Sequence, residues 1–176
     1  MQEPRRLALV GLMGAGKTRV GRALAAGLGW PFHDADRMAE ARAGKSIPEM
    51  FRVLGEAPFR DLESEILAEL AGTPPPLVAA LGGGVVERAE NRALLGLGFF
   101  TVWLDVAPEE AARRVGPGPG RPLLEGEDPG IVLSGLHRRR RPWYEEVARL
   151  RLATVASTRP EDLRDRILLA LGSRSG

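Results

Sequence analysis

The residues with the clearest chemical meaning form the segment 11–18, whose sequence is GLMGAGKT. It directly follows the apolar run 7–10 and directly precedes a segment of helical period, the context in which this spacing binds phosphate. Glycines let backbone amides turn inward around phosphate oxygens, and the following helix points its N-terminal dipole at the same anion. Lys17, one of only two lysines in the chain, would bridge the β- and γ-phosphates of a nucleotide, and the Thr18 hydroxyl would bind Mg²⁺. The segment therefore predicts a nucleotide site rather than a simple glycine turn.

Two carboxylates, Asp34 and Asp36, follow a predicted strand over residues 30–33, and their spacing directs both side chains the same way from an extended end. At the carboxyl edge of a parallel sheet such groups face the ligand crevice. One could hold the water shell of the metal, and the other could accept a proton or hydrogen bonds from an acceptor hydroxyl. The alternative is a pair of helix-capping acids in front of residues 37–43.

Several later residues favour an anionic ligand. Arg60 stands at the predicted entrance of a helix over residues 61–70, where a cation is unfavourable unless it meets an anion. Gly82-Gly83-Gly84 ends a predicted strand and would let a ligand approach the backbone, although a plain turn is an equal alternative. Of the four arginines in residues 138–141, three are expected on a solvated helix face, since adjacent residues spread around a helix.

These residues need a scaffold, and short apolar runs alternating with segments of helical period predict an α/β fold around a parallel sheet. The predicted strands cover residues 7–10, 30–33, 77–81, 99–105 and 152–155. Capping boxes beginning at Ser46 and Thr158 mark two helix starts. The segment 116–130 is too rich in glycine and proline for a regular element, so we expect a mobile lid carrying Arg121, with a surface loop of no role as the alternative.

Composition limits the remaining possibilities. With 176 residues, 44% of them hydrophobic, the chain is expected to form one domain over residues 1–176. The absence of cysteine excludes disulfides and thiolate metal sites. The net charge of +2 does not indicate nucleic-acid binding, and no apolar run would span a bilayer or act as a signal peptide. We expect a cytoplasmic monomer without nucleic-acid or membrane partners. Asn91 is the only asparagine, which argues against a guanine-selecting switch GTPase and leaves a small kinase.

The ordered set of motifs resembles the shikimate kinase family over nearly the whole chain. The set comprises GLMGAGKT, Asp34-x-Asp36, residues 46–51 (SIPEMF), Gly55-Glu56-x-x-Phe59-Arg60, Gly82-Gly83-Gly84, residues 121–124 (RPLL) and Arg140-x-Pro142-x-Tyr144. The resemblance implies a three-layer α/β/α, nucleoside-monophosphate-kinase-like P-loop fold. It also implies transfer of the γ-phosphoryl group of ATP to the 3-hydroxyl of shikimate, a ring with one carboxylate and three hydroxyls.

Carried over residue by residue, the resemblance assigns roles to individual side chains. It implies that Asp36 binds the acceptor hydroxyls and acts as a base, and that Asp34 with Thr18 serves Mg²⁺. Arg60 and Arg140 would grip the carboxylate, and the three glycines would also bind the substrate, with the Gly83 backbone contacting a hydroxyl. The nucleotide would lie on Gly14, Ala15, Gly16, Lys17 and Thr18, with Arg121 on the transferring phosphate and Arg114 and Pro160 flanking adenine.

Two other acceptors stay open at this point, because gluconate kinases and nucleoside monophosphate kinases also use a phosphate loop. A nucleic-acid-binding ATPase is a third alternative, suggested by the arginine run, and it would show binding that weakens steeply with salt.

Overall fold

The fold is a five-stranded, all-parallel sheet enclosed by helices, seen in a computed structural model that describes residues 5–116 and 122–172. The strands lie in the order β2-β3-β1-β4-β5. Their bounds are Arg6–Val10 (β1), Phe32–Asp34 (β2), Leu77–Ala80 (β3), Phe100–Val106 (β4) and Leu150–Thr154 (β5). The predicted three-layer α/β/α fold with a central parallel sheet is confirmed.

The described residues form eight α-helices. Their bounds are Lys17–Leu28 (α1), Ala35–Ala43 (α2), Ile47–Leu54 (α3), Glu56–Gly72 (α4), Ala89–Gly98 (α5), Pro108–Val115 (α6), Pro129–Val147 (α7) and Pro160–Gly172 (α8). Two 3-10 turns span Val85–Glu87 and Pro122–Leu124. None of the helices in residues 5–116 and 122–172 has the length and apolar content needed to cross a membrane.

The central strand β1 supplies side chains to both hydrophobic layers. Leu7 and Leu9 join one cluster with Leu24 of α1, whereas Ala8 and Val10 join the other with Ile66 of α4. All four strand residues are fully buried. This alternation follows from the two-residue period of a strand, and it explains why the run is apolar throughout.

Some predicted boundaries differ from the structure. Strand β2 begins two residues later than expected, and α4 begins at Glu56 rather than at residue 61. Gly55, with φ of 86°, ends α3 and lets α4 start at once. Pro58 falls in the first turn of α4, where its missing amide hydrogen breaks no helical bond. Arg60 consequently lies in the second turn of α4, and its expected place at the helix entrance was wrong.

Only one of the two predicted capping boxes forms. The Ser46 hydroxyl accepts from the Glu49 amide at 3.4 Å, and the Glu49 carboxylate accepts from the Ser46 amide at 2.9 Å. The Thr158 hydroxyl instead accepts from the Val155 amide at 2.9 Å, closing a turn before α8. The second prediction was therefore wrong, because the local turn takes the hydroxyl that would have capped the helix.

Candidate functional site

The phosphate loop connects β1 to α1 in a conformation that requires its glycines. Gly11, Gly14 and Gly16 have φ values of 143°, 80° and 89°. A Cβ at Gly14 would lie 2.9 Å from the Ala111 carbonyl oxygen, so glycine is needed there for space as well as for backbone angle. Lys17 Nζ donates to the carbonyls of Gly11 and Leu12 at 2.8 and 2.9 Å, across the mouth of the loop. The loop therefore has the form expected of a phosphate cradle.

Thr18 and Asp34, the two predicted metal residues, are in direct contact. The Thr18 hydroxyl donates to Asp34 Oδ2 at 2.9 Å. The second oxygen of Asp34 caps α2 by accepting from the Arg37 amide at 3.4 Å. The helix-capping alternative is therefore confirmed for Asp34, while its other oxygen contacts the phosphate loop and its role toward a metal stays a prediction.

The donors around Thr18 fit a magnesium ion that is bound mainly by nucleotide phosphates. Hydroxyl and carboxylate oxygens are hard ligands, and Mg²⁺ is commonly held by one or two of them together with phosphates and water. Within residues 5–116 and 122–172, no cluster of three or more His, Cys, Asp or Glu side chains could hold a metal alone.

Asp36 lies in the first turn of α2 and lines the cleft beside the phosphate loop. Burial raises the pKa of its carboxyl group, with Lys17 acting in the opposite direction and Asp34 adding to the increase. A carboxylate with a raised pKa is a stronger proton acceptor than an ordinary aspartate. Unlike Asp34, Asp36 accepts no capping hydrogen bond among the described residues, which leaves its oxygens available to a ligand.

Arg60 lines the same cleft and is held by two glutamates. It is 8% exposed and pairs with Glu63 through Nη1 and with Glu56 through Nη2, the latter at 3.0 Å. Its guanidinium also lies 5.5 Å from the centroid of the Phe59 ring. These contacts, rather than a helix entrance, are the physical reason that Arg60 is fixed in the site.

Arg140 is the one buried member of the arginine run, 1% exposed, and the other three are exposed as expected. Its Nε donates to Glu87 Oε1 at 2.8 Å, while Nη2 has no hydrogen-bond acceptor among the described residues. Burial acts to raise the pKa of Glu87, but the charge of Arg140 and the hydrogen bond from Arg139 lower it overall. Glu87 therefore stays ionised beside Arg140.

The sequence interpretation missed Glu63 and Glu87, which contact the two site arginines. Burial raises the pKa of Glu63, with Arg60 acting in the opposite direction. Glu63 is three residues from Arg60, so helical spacing could have revealed that pair. Glu87 is 53 residues from Arg140, and only the fold brings them together.

Most of the predicted residues line one cleft of about 450 Å³. It contains Gly14, Gly16, Lys17, Thr18, Asp36, Arg60, Gly82, Gly83, Gly84 and Arg140. A neighbouring cavity of about 430 Å³ contains Ala15, Arg114 and Pro160 and also borders Gly14 and Gly16. Arg114 is fixed there by donating to the carbonyls of Gly14 at 3.2 Å and Val155 at 2.7 Å. Arg121 lies outside the described residues.

A parallel sheet with a phosphate loop after its central strand and a cleft at its carboxyl edge defines a P-loop nucleotide-binding protein. A family model for shikimate kinase matches residues 13–171. The chain belongs to the shikimate kinase family. Shikimate kinase of Parasynechococcus marenigrum is 51% identical over 143 residues, covering 81% of this chain and 74% of that protein. Shikimate kinase of Synechococcus elongatus is 45% identical over 167 residues, covering 95% and 86%.

Solved structures agree with this assignment. Shikimate kinase from Acinetobacter baumannii in complex with shikimate aligns with a TM-score of 0.93 at 38% identity, covering 98% of this chain and 95% of that one. A gluconokinase from Sinorhizobium meliloti aligns with a TM-score of 0.57 at 18% identity, which shows a shared fold alone. The family is thus established, and the alternative kinases are not favoured.

Proposed function

We propose that this protein transfers the γ-phosphoryl group of ATP to the 3-hydroxyl of shikimate, producing shikimate 3-phosphate and ADP. The observation that carries the proposal is the set of groups that line one cleft. Lys17 and glycines of the phosphate loop, the carboxylate of Asp36 and two buried guanidinium groups, Arg60 and Arg140, all line it. This set suits an acceptor that offers a hydroxyl to the phosphates and a carboxylate to two guanidinium groups.

In this proposal the nucleotide phosphates bind the amides of residues 14–18 and the Lys17 ammonium. Adenine occupies the neighbouring cavity between Arg114 and Pro160, and Arg121 reaches the transferring phosphate. Phosphoryl transfer needs mainly alignment and charge stabilisation, with no covalent intermediate on the enzyme. The ammonium of Lys17 supplies that stabilisation where negative charge develops.

Mg²⁺ would be held by the Thr18 hydroxyl, with Asp34 ordering its water ligands. When bound, the ion neutralises charge on the β- and γ-phosphates. The contact between the Thr18 hydroxyl and Asp34, 2.9 Å, supports this pairing because it places the two oxygens side by side.

At the acceptor end, Asp36 accepts the proton or a hydrogen bond from the 3-hydroxyl, and its raised pKa suits that role. Arg60 and Arg140 bind the carboxylate, and the backbone of Gly82, Gly83 and Gly84 lies against the ring. The single domain over residues 1–176, the lid over residues 116–130, the monomeric state, the lack of nucleic-acid or membrane partners and the cytoplasmic location stay predictions.

The test is an acceptor panel in which ADP formation is measured with shikimate, gluconate and CMP presented separately. We expect ADP formation with shikimate at least a hundredfold above the other two. Gluconate is the demanding comparison, since it also carries a carboxylate and several hydroxyls. Equal or greater turnover with gluconate or CMP would overturn the proposal.

A further inference from the structure

Tyr144 is a fully buried side chain one turn after Arg140 on α7, in contact with the glycine turn that lines the cleft. Its hydroxyl donates to the Gly83 carbonyl oxygen at 2.6 Å. Its ring stacks on Trp103 of β4 with the centroids 5.6 Å apart, so the ring is held from the side as well. Burial raises the pKa of the phenol to about 12, with the charge and hydrogen bonding of Arg140 acting in the opposite direction. The phenol therefore stays protonated and remains a hydrogen-bond donor at neutral pH.

The hydrogen bond from Tyr144 fixes the orientation of the whole Gly83–Gly84 peptide unit as well as that of the Gly83 carbonyl. Because a trans peptide unit is planar, the Gly83 carbonyl and the Gly84 amide point in opposite directions, and fixing one fixes the other. The amides of Gly83 and Gly84 donate no hydrogen bond to another residue in the described part of the chain. Three successive glycines have wide backbone freedom, so their sequence alone does not set the direction of this peptide.

Arg140 packs against the same turn. A Cβ on Gly83 would lie 3.3 Å from Arg140 Nη1 and 3.2 Å from the Gly11 carbonyl oxygen, which leaves no room between the turn, the guanidinium and the phosphate loop. Any shift of the glycine turn would therefore change the surface on which Arg140 rests. Tyr144 contacts both parts of this arrangement from the buried side.

We infer that Tyr144 is a positioning residue for the carboxylate end of the acceptor, acting through the Gly83–Gly84 peptide and through Arg140. The inference rests on the proposed function for the identity of the acceptor. Tyr144 touches no substrate itself. Its effect is on how tightly the carboxylate is bound, since in the described part of the chain its hydroxyl donates to the glycine turn and not to the phosphate loop.

The experiment compares Tyr144→Phe with Thr101→Val in the full-length protein. Thr101→Val also removes a buried hydroxyl, but Thr101 lies near the start of β4, away from the cleft at the carboxyl edge of the sheet. We expect Tyr144→Phe to raise the KM for shikimate at least fivefold, the order expected for one hydrogen bond, and to change the KM for ATP less than twofold. Thr101→Val should leave both constants within twofold of wild type.

A second acceptor separates positioning from general loosening of the site. The methyl ester of shikimate lacks the negative charge, so Tyr144→Phe should change its kcat/KM less than twofold relative to wild type. An equal loss of kcat/KM with the acid and the ester, or an unchanged KM for shikimate in a folded variant, would overturn the inference.

If a melting curve showed that Tyr144→Phe does not fold, Trp103→Phe would replace it, since this substitution alters the ring packed on Tyr144 and leaves the Tyr144 hydroxyl in place. An unchanged KM for shikimate in that variant would also overturn the inference.

Failure of the proposed function has a different signature. Wild-type protein that produced no shikimate-dependent ADP would refute the proposed function and remove the basis of this inference. Wild-type turnover with an unaffected Tyr144→Phe variant would refute the inference alone.

Discussion

An alanine at position 84 would place a methyl group directly against the Arg60 guanidinium. The new Cβ would lie 2.6 Å from Nη2 and closer still to Cζ and Nη1. Gly84 has φ of −91° and ψ of −1°, backbone angles that residues other than glycine also adopt in type I turns. The effect of Gly84→Ala therefore arises from this contact.

Arg60 is the group that must move, and its partners resist the movement. It is bound to Glu63 and Glu56, and it lies over the Phe59 ring. Losing one charged hydrogen bond to the acceptor costs about 1.5 to 3 kcal/mol, which corresponds to about tenfold or more in the KM for shikimate. Leaving Glu63 buried without its partner costs about 1 to 3 kcal/mol of folding stability, and each 1 kcal/mol lowers Tm by about 2 to 4 °C.

The assay measures the KM for shikimate, the KM for ATP and Tm of Gly84→Ala, with Gly96→Ala as the matched control. Gly96 lies within α5, and a Cβ there would meet no atom within 4 Å. We expect the control to keep both KM values and to gain up to about 1 kcal/mol of stability.

Arg60→Lys provides the refuting comparison. An ammonium cannot make two parallel bonds to a carboxylate, so this variant alone should raise the KM for shikimate about tenfold. If Gly84→Ala acts through Arg60, its effect should shrink in the Arg60→Lys background. A full additional increase there would show that the methyl group blocks the ligand directly, and the reasoning from Arg60 would be wrong.

Three further outcomes are expected. Lys17→Ala should lower kcat more than tenfold while the melting curve stays cooperative, and a smaller loss would contradict the role of its ammonium in charge stabilisation. Because burial raises the pKa of Asp36, kcat/KM should decline as the pH falls, and the decline should begin above the ordinary pKa range of aspartate. Asp36→Asn should lose most of the activity and this pH dependence. The same variant should raise Tm at pH 7, where the buried carboxylate is ionised, and should leave Tm unchanged at a pH below the pKa of an unfolded aspartate. Asp34→Asn should raise the Mg²⁺ concentration needed for half-maximal activity about tenfold, and an unchanged requirement would remove Asp34 from the metal site.

The phosphate loop could be predicted from the sequence because its chemistry constrains both residue type and spacing. Three of its glycines have left-handed φ values, and the lysine must stand at a fixed distance from them. The α/β fold followed from the alternation of apolar and helical segments for a similar reason. The sequence alone was enough to predict a feature wherever the contacts that determine it lie between residues close together in the chain.

The acceptor end could be predicted only in part. Arg60 was assigned to the site for an incorrect reason, since it is held by Glu56 and Glu63 within α4 and does not lie at a helix entrance. Which arginine of the run is buried follows from the position of α7 against the glycine turn, and helical period alone leaves four candidates. The pairing of Glu87 with Arg140 depends on two distant segments meeting, so no local pattern contained it.

The cleft contains buried polar atoms that lack a protein partner among the described residues, namely Glu63 Oε1 and Arg140 Nη2. Such atoms weaken a fold, because each has lost water without gaining a hydrogen bond. A ligand that binds the folded cleft offsets this weakness by mass action, stabilising the folded protein by about 2.7 kcal/mol at a hundred times its Kd. The resistance of this enzyme to heat and proteolysis is therefore set in part by the supply of its own substrate.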